Sequence, residues 1–181
     1  MKKFIVLIII PFLFSCSINS NEDKNKEENK IEKPIVVKKR FLARPNYKME
    51  YPDNWTIDST DSDYDIDTYF SLNSPSNGAF ASFMFINTKV DEQEHLDLHI
   101  KEQLKVTMKN GTVSYFEKWG DYIGHGATIR GKLLGIFKGD LKIFVHSNDT
   151  SSFLILSQLS DEDKLKDEEG LKLIESSFRT K

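Results

Sequence analysis

The sequence predicts an α+β protein built on a mainly antiparallel sheet. Three observations favour this class: alternating strand-like segments come first, an amphipathic helix follows near residue 100, and further strand segments then lead to a C-terminal helix. Strands and helices that are grouped in this way are typical of antiparallel sheets packed against helices.

The composition is that of a globular protein, with 39% hydrophobic and 12% aromatic residues among 181. The 25 basic and 28 acidic residues give a net charge of −3, so no sequence-wide positive field would attract nucleic acid. Collagen-like, mucin-like and wholly disordered classes are excluded. The length left after the N-terminal segments suits one domain, residues 41–181.

The N terminus is typical of a secretory signal peptide. Met1–Lys3 is positively charged, and Phe4–Phe14 is an apolar run interrupted only by Pro11. As a helix this run would rise about 16 Å, roughly half of a hydrocarbon core about 30 Å thick. Because it is too short for a permanent transmembrane anchor, residues 1–15 are predicted to be a cleaved signal peptide.

The only cysteine follows this segment directly. Leu13-Phe14-Ser15-Cys16 resembles the lipobox of bacterial lipoproteins, in which the cysteine is lipidated and becomes the mature N terminus, although Phe14 is bulkier than usual. The alternative is an incidental free thiol. Two or three acyl chains, such as palmitate, would anchor the protein stably, and no intramolecular disulfide could form.

Residues 16–40 are predicted to be the lipidated cysteine and a flexible polar tether. Residues 17–33 hold four lysines and five acidic residues, with Ile18 and Ile31 as the only apolar side chains. Such a segment cannot bury enough surface to offset its ordering entropy, and as a flexible chain to Arg40 it would span roughly 27 Å. Glu22-Asp23 resembles export signals of some surface lipoproteins. The sequence therefore leaves open whether the anchor lies in an inner membrane, an outer membrane or the cell surface.

The domain is predicted to begin with strands. Residues 35–42 could be an edge strand or an extended arm, in which Lys38-Lys39-Arg40 is a solvated edge or, alternatively, contacts anionic lipid headgroups. Residues 46–51 alternate as a strand does. Pro52-Asp53-Asn54 then favours a turn, so residues 51–55 are predicted to form a tight hairpin that buries Trp55.

Two more strands and a helix follow. Residues 64–72 alternate, with Phe70 and Leu72 on one face, and residues 79–86 form the next strand. Residues 91–110 are the clearest helix, and Gly111 stands where its C-terminal cap is expected. The apolar positions of this helix repeat every four residues: Leu96, Ile100, Leu104 and Met108.

The second half of the domain is predicted to be a strand meander and a helix. The strands are residues 113–119, 127–137, 141–146 and 153–159, with Lys138-Gly139-Asp140 as a hairpin turn. The last helix begins at about Asp161 with a capping box from Ser160 to Asp163. Its apolar stripe is Leu165, Leu171, Ile174 and Phe178, and Gly170 weakens its middle by about 1 kcal/mol relative to alanine.

The order of these elements resembles that of PsbP-like domains over residues 41–181. Tyr51-Pro52-x-x-Trp55 resembles the family's YPxxW element, and the central helix leads into a meander that carries Trp119, Gly124 and Gly126. The close of the chain, Ile174–Phe178, also looks like the family's. The resemblance implies a sheet of six or seven antiparallel strands between helices, an α/β/α sandwich.

The same resemblance implies a non-enzymatic role. Known relatives are extrinsic photosystem subunits, a Ran-binding nuclear factor and bacterial lipoproteins of mostly unassigned purpose. Nothing in the chain marks photosystem attachment, and the family has no shared catalytic set to carry over. The resemblance therefore implies no cofactor and no catalytic residue.

An acidic run near the domain start is a candidate calcium site. Asp61-x-Asp63-x-Asp65 mimics the start of a calcium loop, but Ile66 replaces the glycine and Leu72 the bidentate glutamate. If these residues lie in a strand, alternate carboxylates are about 6.5–7 Å apart, too far to share one ion. We therefore expect a solvated acidic face in the Asp58–Asp67 stretch, with a hard cation as the alternative.

Other chemistry-bearing patterns are weaker. His95 and His99 lie four residues apart on the predicted helix and could reach one zinc ion, but no HExxH motif is present, so we expect ordinary surface histidines. The glycines around His125 match neither a dinucleotide fingerprint nor a P-loop, and they are expected to serve bends in the sheet. No metal site is predicted, and no GxSxG or CxxC motif appears.

Three functions remain. The first is a lipid-anchored domain outside the cytoplasm of a bacterial cell envelope, which binds or helps to assemble an envelope protein or complex. The second is a carrier or sensor of a small apolar ligand, motivated by 13 phenylalanines. The third is an envelope hydrolase with a Ser–His–Asp group assembled from distant residues. A cavity would favour the carrier, and an exposed aromatic patch the protein binder.

Replacing the cysteine tests the anchor. Cys16→Ser should leave the protein uncleaved or free of the membrane, because acylation of the cysteine precedes removal of Met1–Ser15. Mass spectrometry of the membrane-extracted wild-type chain is the direct measurement. A mature chain that starts at Cys16 and carries no acyl mass would contradict the prediction.

Overall fold

A computed structural model describes residues 38–58 and 65–181. The predicted signal peptide, Cys16 and most of the tether lie outside the described residues, as do Asp61 and Asp63.

The chain forms two antiparallel sheets and two helices. The seven-stranded sheet has the order β3-β4-β5-β9-β8-β7-β6, and the three-stranded sheet has the order β1-β2-β10. The elements are β1 Lys39–Ala43, β2 Tyr47–Pro52, β3 Thr56–Asp58, β4 Tyr69–Asn73, β5 Ala79–Ile86, α1 Glu92–Val106, β6 Thr112–Trp119, β7 Tyr122–Leu133, β8 Phe137–Ser147, β9 Ser152–Ser160, α2 Lys164–Ser177 and β10 Arg179–Thr180. The predicted α+β class and antiparallel pairing are confirmed.

The two faces of the large sheet bury separate cores. Along β8, Ile143 packs in the core that includes Leu96 and Ile100 of α1. Its neighbour Phe144 packs in the core that includes Ile174 of α2 and Met49 of β2. Successive strand residues point to opposite faces. Helix α1 therefore covers one face, and α2 with the small sheet covers the other.

Helix α1 begins as predicted and ends earlier. The Asp91 side chain accepts a hydrogen bond from the backbone N–H of Glu94 (3.0 Å), an N-terminal cap. Leu96 and Ile100 are buried, but the helix stops at Val106. Asn110, with φ of 61°, takes the left-handed conformation that the sequence assigned to Gly111.

The turn between β7 and β8 lies earlier than predicted. Leu134 and Gly135 have φ of 49° and 76°, and the Ile136 N–H donates to the Leu133 carbonyl (2.9 Å). The loop therefore consists of residues 134–136, between the paired residues Leu133 and Phe137. The predicted turn at Lys138-Gly139-Asp140 is wrong, because these residues pair with β7 inside β8.

Residues 51–55 do not form a hairpin. Strand β2 pairs with β1 and β10 in the small sheet, whereas β3 pairs with β4 in the large one. The segment is a corner that carries the chain from one sheet to the other. Trp55 is buried, as predicted. Strand β4 begins only at Tyr69, because residues 66–68 form a turn, and Phe70 and Leu72 share the buried face as predicted.

Helix α2 is continuous through Gly170 but starts later than predicted, at Lys164. The Ser160 hydroxyl accepts the Asp163 N–H at 3.2 Å, in a turn that precedes the helix. Ile174 and Phe178 are buried as expected, whereas Leu165 is 87% exposed, so it is not part of the stripe. The buried face holds Gly170 instead, because Trp55 and Pro52 pack directly against it.

Gly170→Ala should destabilise the domain although alanine favours helices. A Cβ at this position would lie 2.8 Å from Trp55 Cζ2 and 3.0 Å from Pro52 Cγ. The steric penalty of about 1–3 kcal/mol should exceed the gain of about 1 kcal/mol in helix propensity. Denaturant unfolding should therefore show a net loss of stability.

Two controls make this test specific. Ser176→Ala, at an exposed position of the same helix, should change the free energy of unfolding by no more than about 0.5 kcal/mol. In a Trp55→Leu background, which keeps the Pro52 contact, the alanine should destabilise less than in the wild-type chain. A stabilising Gly170→Ala in the otherwise wild-type chain would show that the contact is not tight.

Candidate functional site

The hairpin between β7 and β8 exposes apolar side chains that neither core uses. Leu134 is 68%, Ile136 70% and Phe137 49% exposed, and we call these three residues the apolar tip. Leu133, just before them, is buried. The sequence pattern does not indicate this surface, because it predicts the β7–β8 turn four residues later. A Leu-Gly pair, where hairpin turns usually carry Asn-Gly, is the signal that could have found it.

The apolar tip is held in place by α1. The Leu134 N–H donates a hydrogen bond to the Thr107 carbonyl (2.7 Å) just beyond the helix end. Val106, the last residue of α1, is exposed beside this contact. The apolar tip is thus fixed by its own turn and by this hydrogen bond to the residue after α1.

Lysines surround the apolar tip. Lys132 and Lys138 are paired directly across the two strands, and both are exposed. Among the described residues, no acidic group lies within salt-bridge distance of either. Two residue pairs further along the hairpin, Arg130 bonds Asp140 (3.1 Å) and makes two bonds to Asp161 (2.7 and 2.6 Å). These bonds hold the pKa of Asp161 below its usual range.

An open depression of about 290 Å³ lies at the base of the tip. Only Leu133 and Phe137 contribute large apolar surface to it, and the rest of its lining is Ser76, Asn77, Gly78, Gln158, Ser160, Glu162 and Asp163. Sites for apolar ligands are lined mostly by hydrophobic side chains. Because the depression is open and most of its lining residues are polar, it is not the enclosed apolar cavity that the carrier hypothesis requires.

Most phenylalanines of the domain pack in or against the two cores. Phe70 stacks on Phe83 with ring centroids 4.8 Å apart, and Phe83 stacks on Phe178 at 5.3 Å. Moreover, Phe4, Phe12 and Phe14 precede the domain, so the count of 13 overstated its aromatic content. The observation that motivated the carrier hypothesis is therefore explained by packing.

Strand β6 forms one edge of the large sheet. Among the described residues it pairs with β7 alone, and its outer edge is open. Thr112, Ser114 and Tyr115 are exposed, with Tyr115 at 67%. A bulge interrupts the pairing between Phe116 and Lys118. The segment from Thr112 to Phe116 is thus a regular, exposed edge that carries one aromatic side chain.

Of the described acidic residues in the Asp58–Asp67 stretch, Asp58 ends β3, whereas Asp65 and Asp67 stabilise a turn. The Asp65 carbonyl accepts the Thr68 and Tyr69 N–H groups (both 2.8 Å), and its carboxylate accepts the Asp67 N–H (3.2 Å). Asp67 faces Arg44 at 3.9 Å. Asp65 therefore does not lie in the strand that the predicted spacing assumed, whereas Asp61 and Asp63 lie outside the described residues.

The histidines are engaged separately. His95 and His99 have ring centroids 6.5 Å apart, and partial burial lowers the pKa of His99 against the opposing effect of Glu102. Glu92 bonds His125 (2.7 Å) and the Ser147 N–H (2.6 Å). Among the described residues no group of three or more His, Cys, Asp or Glu could hold a metal ion.

A Ser–His–Asp geometry is not assembled in the described part of the chain. Asp167 is buried and accepts the Ser76 hydroxyl (2.5 Å), but this pair joins the β4–β5 turn to α2. His146 bonds the Ile123 carbonyl (2.8 Å) rather than a serine. The feature that would have favoured the hydrolase is therefore not found at these residues.

The comparisons with known proteins identify the fold. No protein-family model matches the sequence, and no curated protein does. Among solved structures, the chain is similar to the cyanobacterial PsbP (CyanoP) of Synechocystis, with a TM-score of 0.51 and 8% identity over 81% of this chain and 94% of that one. It is also similar to LpqN of Mycobacterium tuberculosis, described as involved in cell envelope biogenesis, with a TM-score of 0.46 and 12% identity over 80% and 91%.

These observations define the class of protein as an α+β sandwich in which helices cover both faces of one antiparallel sheet. More particularly, the domain has the PsbP-like fold, which confirms the resemblance seen in the sequence at the level of fold. Within the described residues, no helix combines the length and hydropathy needed to span a bilayer.

Calcium should leave the stability of the protein nearly unchanged at millimolar concentration. The carboxylates of Asp65 and Asp67 already serve a turn and an ion pair. A real site would raise stability by about 2.7 kcal/mol at a hundredfold excess over Kd. Calorimetric titration of the full chain measures calcium binding, with Asp61→Asn and Asp63→Asn as controls. Saturable micromolar binding that both variants abolish would contradict the prediction.

Proposed function

We propose that the protein is a lipid-anchored binding or assembly module of a bacterial cell envelope, with a domain that lies outside the cytoplasm and binds an envelope protein or complex. The lipobox-like segment ending at Cys16 supports the anchor and the location. The function is non-enzymatic, in keeping with what a PsbP-like fold implied from the sequence.

The observation that carries the binding role is the open edge of β6. An unpaired strand edge offers backbone N–H and C=O groups to an incoming extended segment, a common mode of protein recognition. Tyr115, 67% exposed on this edge, supplies an aromatic anchor of the type enriched in binding interfaces. The bulge at Glu117 limits such pairing to Thr112–Phe116, which sets its register.

The carrier has weaker support. Its ligand would need an apolar cavity, whereas the phenylalanine rings pack on one another and the depression near the tip is open, with polar side chains at six of its nine lining residues. The binding module remains the function that the exposed surfaces support best.

Site-specific photo-crosslinking in living cells tests the proposal. A benzoylphenylalanine that replaces Tyr115 should crosslink the full chain to an envelope protein, which mass spectrometry then identifies. The matched control replaces Leu98, an exposed apolar residue on the outer side of α1. We expect a discrete crosslinked product at position 115 that position 98 does not give.

Two outcomes would overturn the proposed binding edge. Crosslinks at position 115 only to lipid or to another copy of this chain would remove the partner protein. Equal products at positions 115 and 98 would show contact without specificity.

A further inference from the structure

The turn of the apolar tip keeps a residue that is unfavourable for folding. Leu134 has φ of 49°, a conformation that leucine adopts reluctantly, whereas asparagine and glycine tolerate it. The Leu134 side chain makes no compensating core contact, because it is 68% exposed. A strained, exposed apolar residue at a hairpin tip points to a role outside the folded domain.

The charges at the base of the tip are also unfavourable in isolation. Lys132 and Lys138 face each other directly across the hairpin, and like charges at opposed positions repel. Asp161 lies beside Lys138, and its N–H donates to the Lys138 carbonyl, but its carboxylate is paired with Arg130, and Lys138 has the smaller electrostatic effect on it. The two lysines would be stabilised by an external anionic surface.

The spacing of these features matches the interface of a bilayer. Leu134 lies two residues beyond Lys132, a rise of about 7 Å along a strand. Interfacial segments bury their apolar side chains about 5–10 Å deep, while flanking lysines reach the headgroups. Val106 at the end of α1 widens the apolar surface, and Lys105 and Lys109 flank it.

The described chain begins at Lys38 near the middle of α2, and the apolar tip lies beyond the start of that helix. The Lys38 carbonyl accepts the Asp53 N–H (2.9 Å), next to Pro52, which packs against Gly170 in the middle of α2. The tip lies beyond the start of this helix, where the Asp161 N–H donates to the Lys138 carbonyl (2.8 Å). The polar segment predicted between Cys16 and Arg40 would span roughly 27 Å, which is enough for an anchored domain to bring this end to the membrane.

We propose that the apolar tip inserts into the headgroup region of a bilayer that contains anionic lipids, with Lys132 and Lys138 bound to the headgroups. This contact goes beyond the proposed protein-binding role and uses a different surface. It does not depend on acylation of Cys16. The two lysines lie on opposite sides of a short apolar turn, so both can contact the continuous anionic plane of a membrane. A protein partner would need a concave pocket with acidic groups facing each lysine.

A fluorescent label at the tip tests the proposal. The full chain carrying Cys16→Ser is reconstituted in vesicles, with NBD attached to Ile136→Cys or, as the matched control, to Ile123→Cys. Both isoleucines are similarly exposed, at 70% and 76%, and Ile123 lies at the opposite end of β7. In vesicles of phosphatidylcholine and phosphatidylglycerol, NBD at position 136 should shift to the blue and be quenched by doxyl-labelled lipid, whereas NBD at position 123 should remain in water.

Two variants separate insertion from folding. Leu134→Asn should reduce quenching at position 136 and leave the thermal midpoint equal or higher, because asparagine suits the turn better than leucine. Lys132→Gln with Lys138→Gln should weaken insertion by about 30-fold in anionic vesicles and leave any residual insertion in pure phosphatidylcholine unchanged.

Several results would overturn the proposal. NBD at position 136 that stays in water in both vesicle types would exclude the membrane as the occupant. Equal quenching at positions 136 and 123 would show that the reporter, not the tip, contacts lipid. Insertion that is as strong in pure phosphatidylcholine would remove the role of the lysines.

Discussion

The contact between Trp55 and Gly170 is the constraint on which the arrangement of the two sheets depends. Trp55 follows the corner at which the chain leaves the small sheet and enters the large one, and its indole lies on the Cα of Gly170 in α2. Only a residue without a side chain allows this approach. Gly170 lowers the helix propensity at the centre of α2, but it allows α2 to pack closely against the sheet corner.

Hydrogen bonds near both ends of α2 add to this contact. Towards its end, the Ser177 hydroxyl bonds both the N–H and the carbonyl of Glu50 in β2 (2.8 and 3.0 Å). Towards its start, buried Asp167 accepts the Ser76 hydroxyl from the β4–β5 turn. One helix thus fixes β2, the corner and the large sheet relative to one another. The β7–β8 hairpin is held independently, by α1, on the other face.

The sequence predicted those features that depend on local pattern. Alternation identified the buried face of β4 through Phe70 and Leu72, and the four-residue repeat identified Leu96 and Ile100 in α1. The features it missed depend on distant contacts. Lys138-Gly139-Asp140 has good turn chemistry, yet the hairpin turns at Leu134, where the Thr107 carbonyl is in position to accept its N–H. Likewise, Leu165 fits the apolar repeat of a helix, but it is 87% exposed.

The same geometry makes the two proposed surfaces compatible. In β7, the partner of Tyr115 is Ala127, seven residues before Leu134, which corresponds to about 23 Å along an extended strand. A tip buried 5–10 Å in a bilayer, whose surface field decays within about 8–10 Å, would leave Tyr115 in solvent. Because both surfaces are borne by the hairpin and edge of one rigid sheet, docking of the tip would present the open edge at a fixed height above the membrane. A partner embedded in that membrane would then meet β6 in a defined orientation, which a polar tether alone cannot provide.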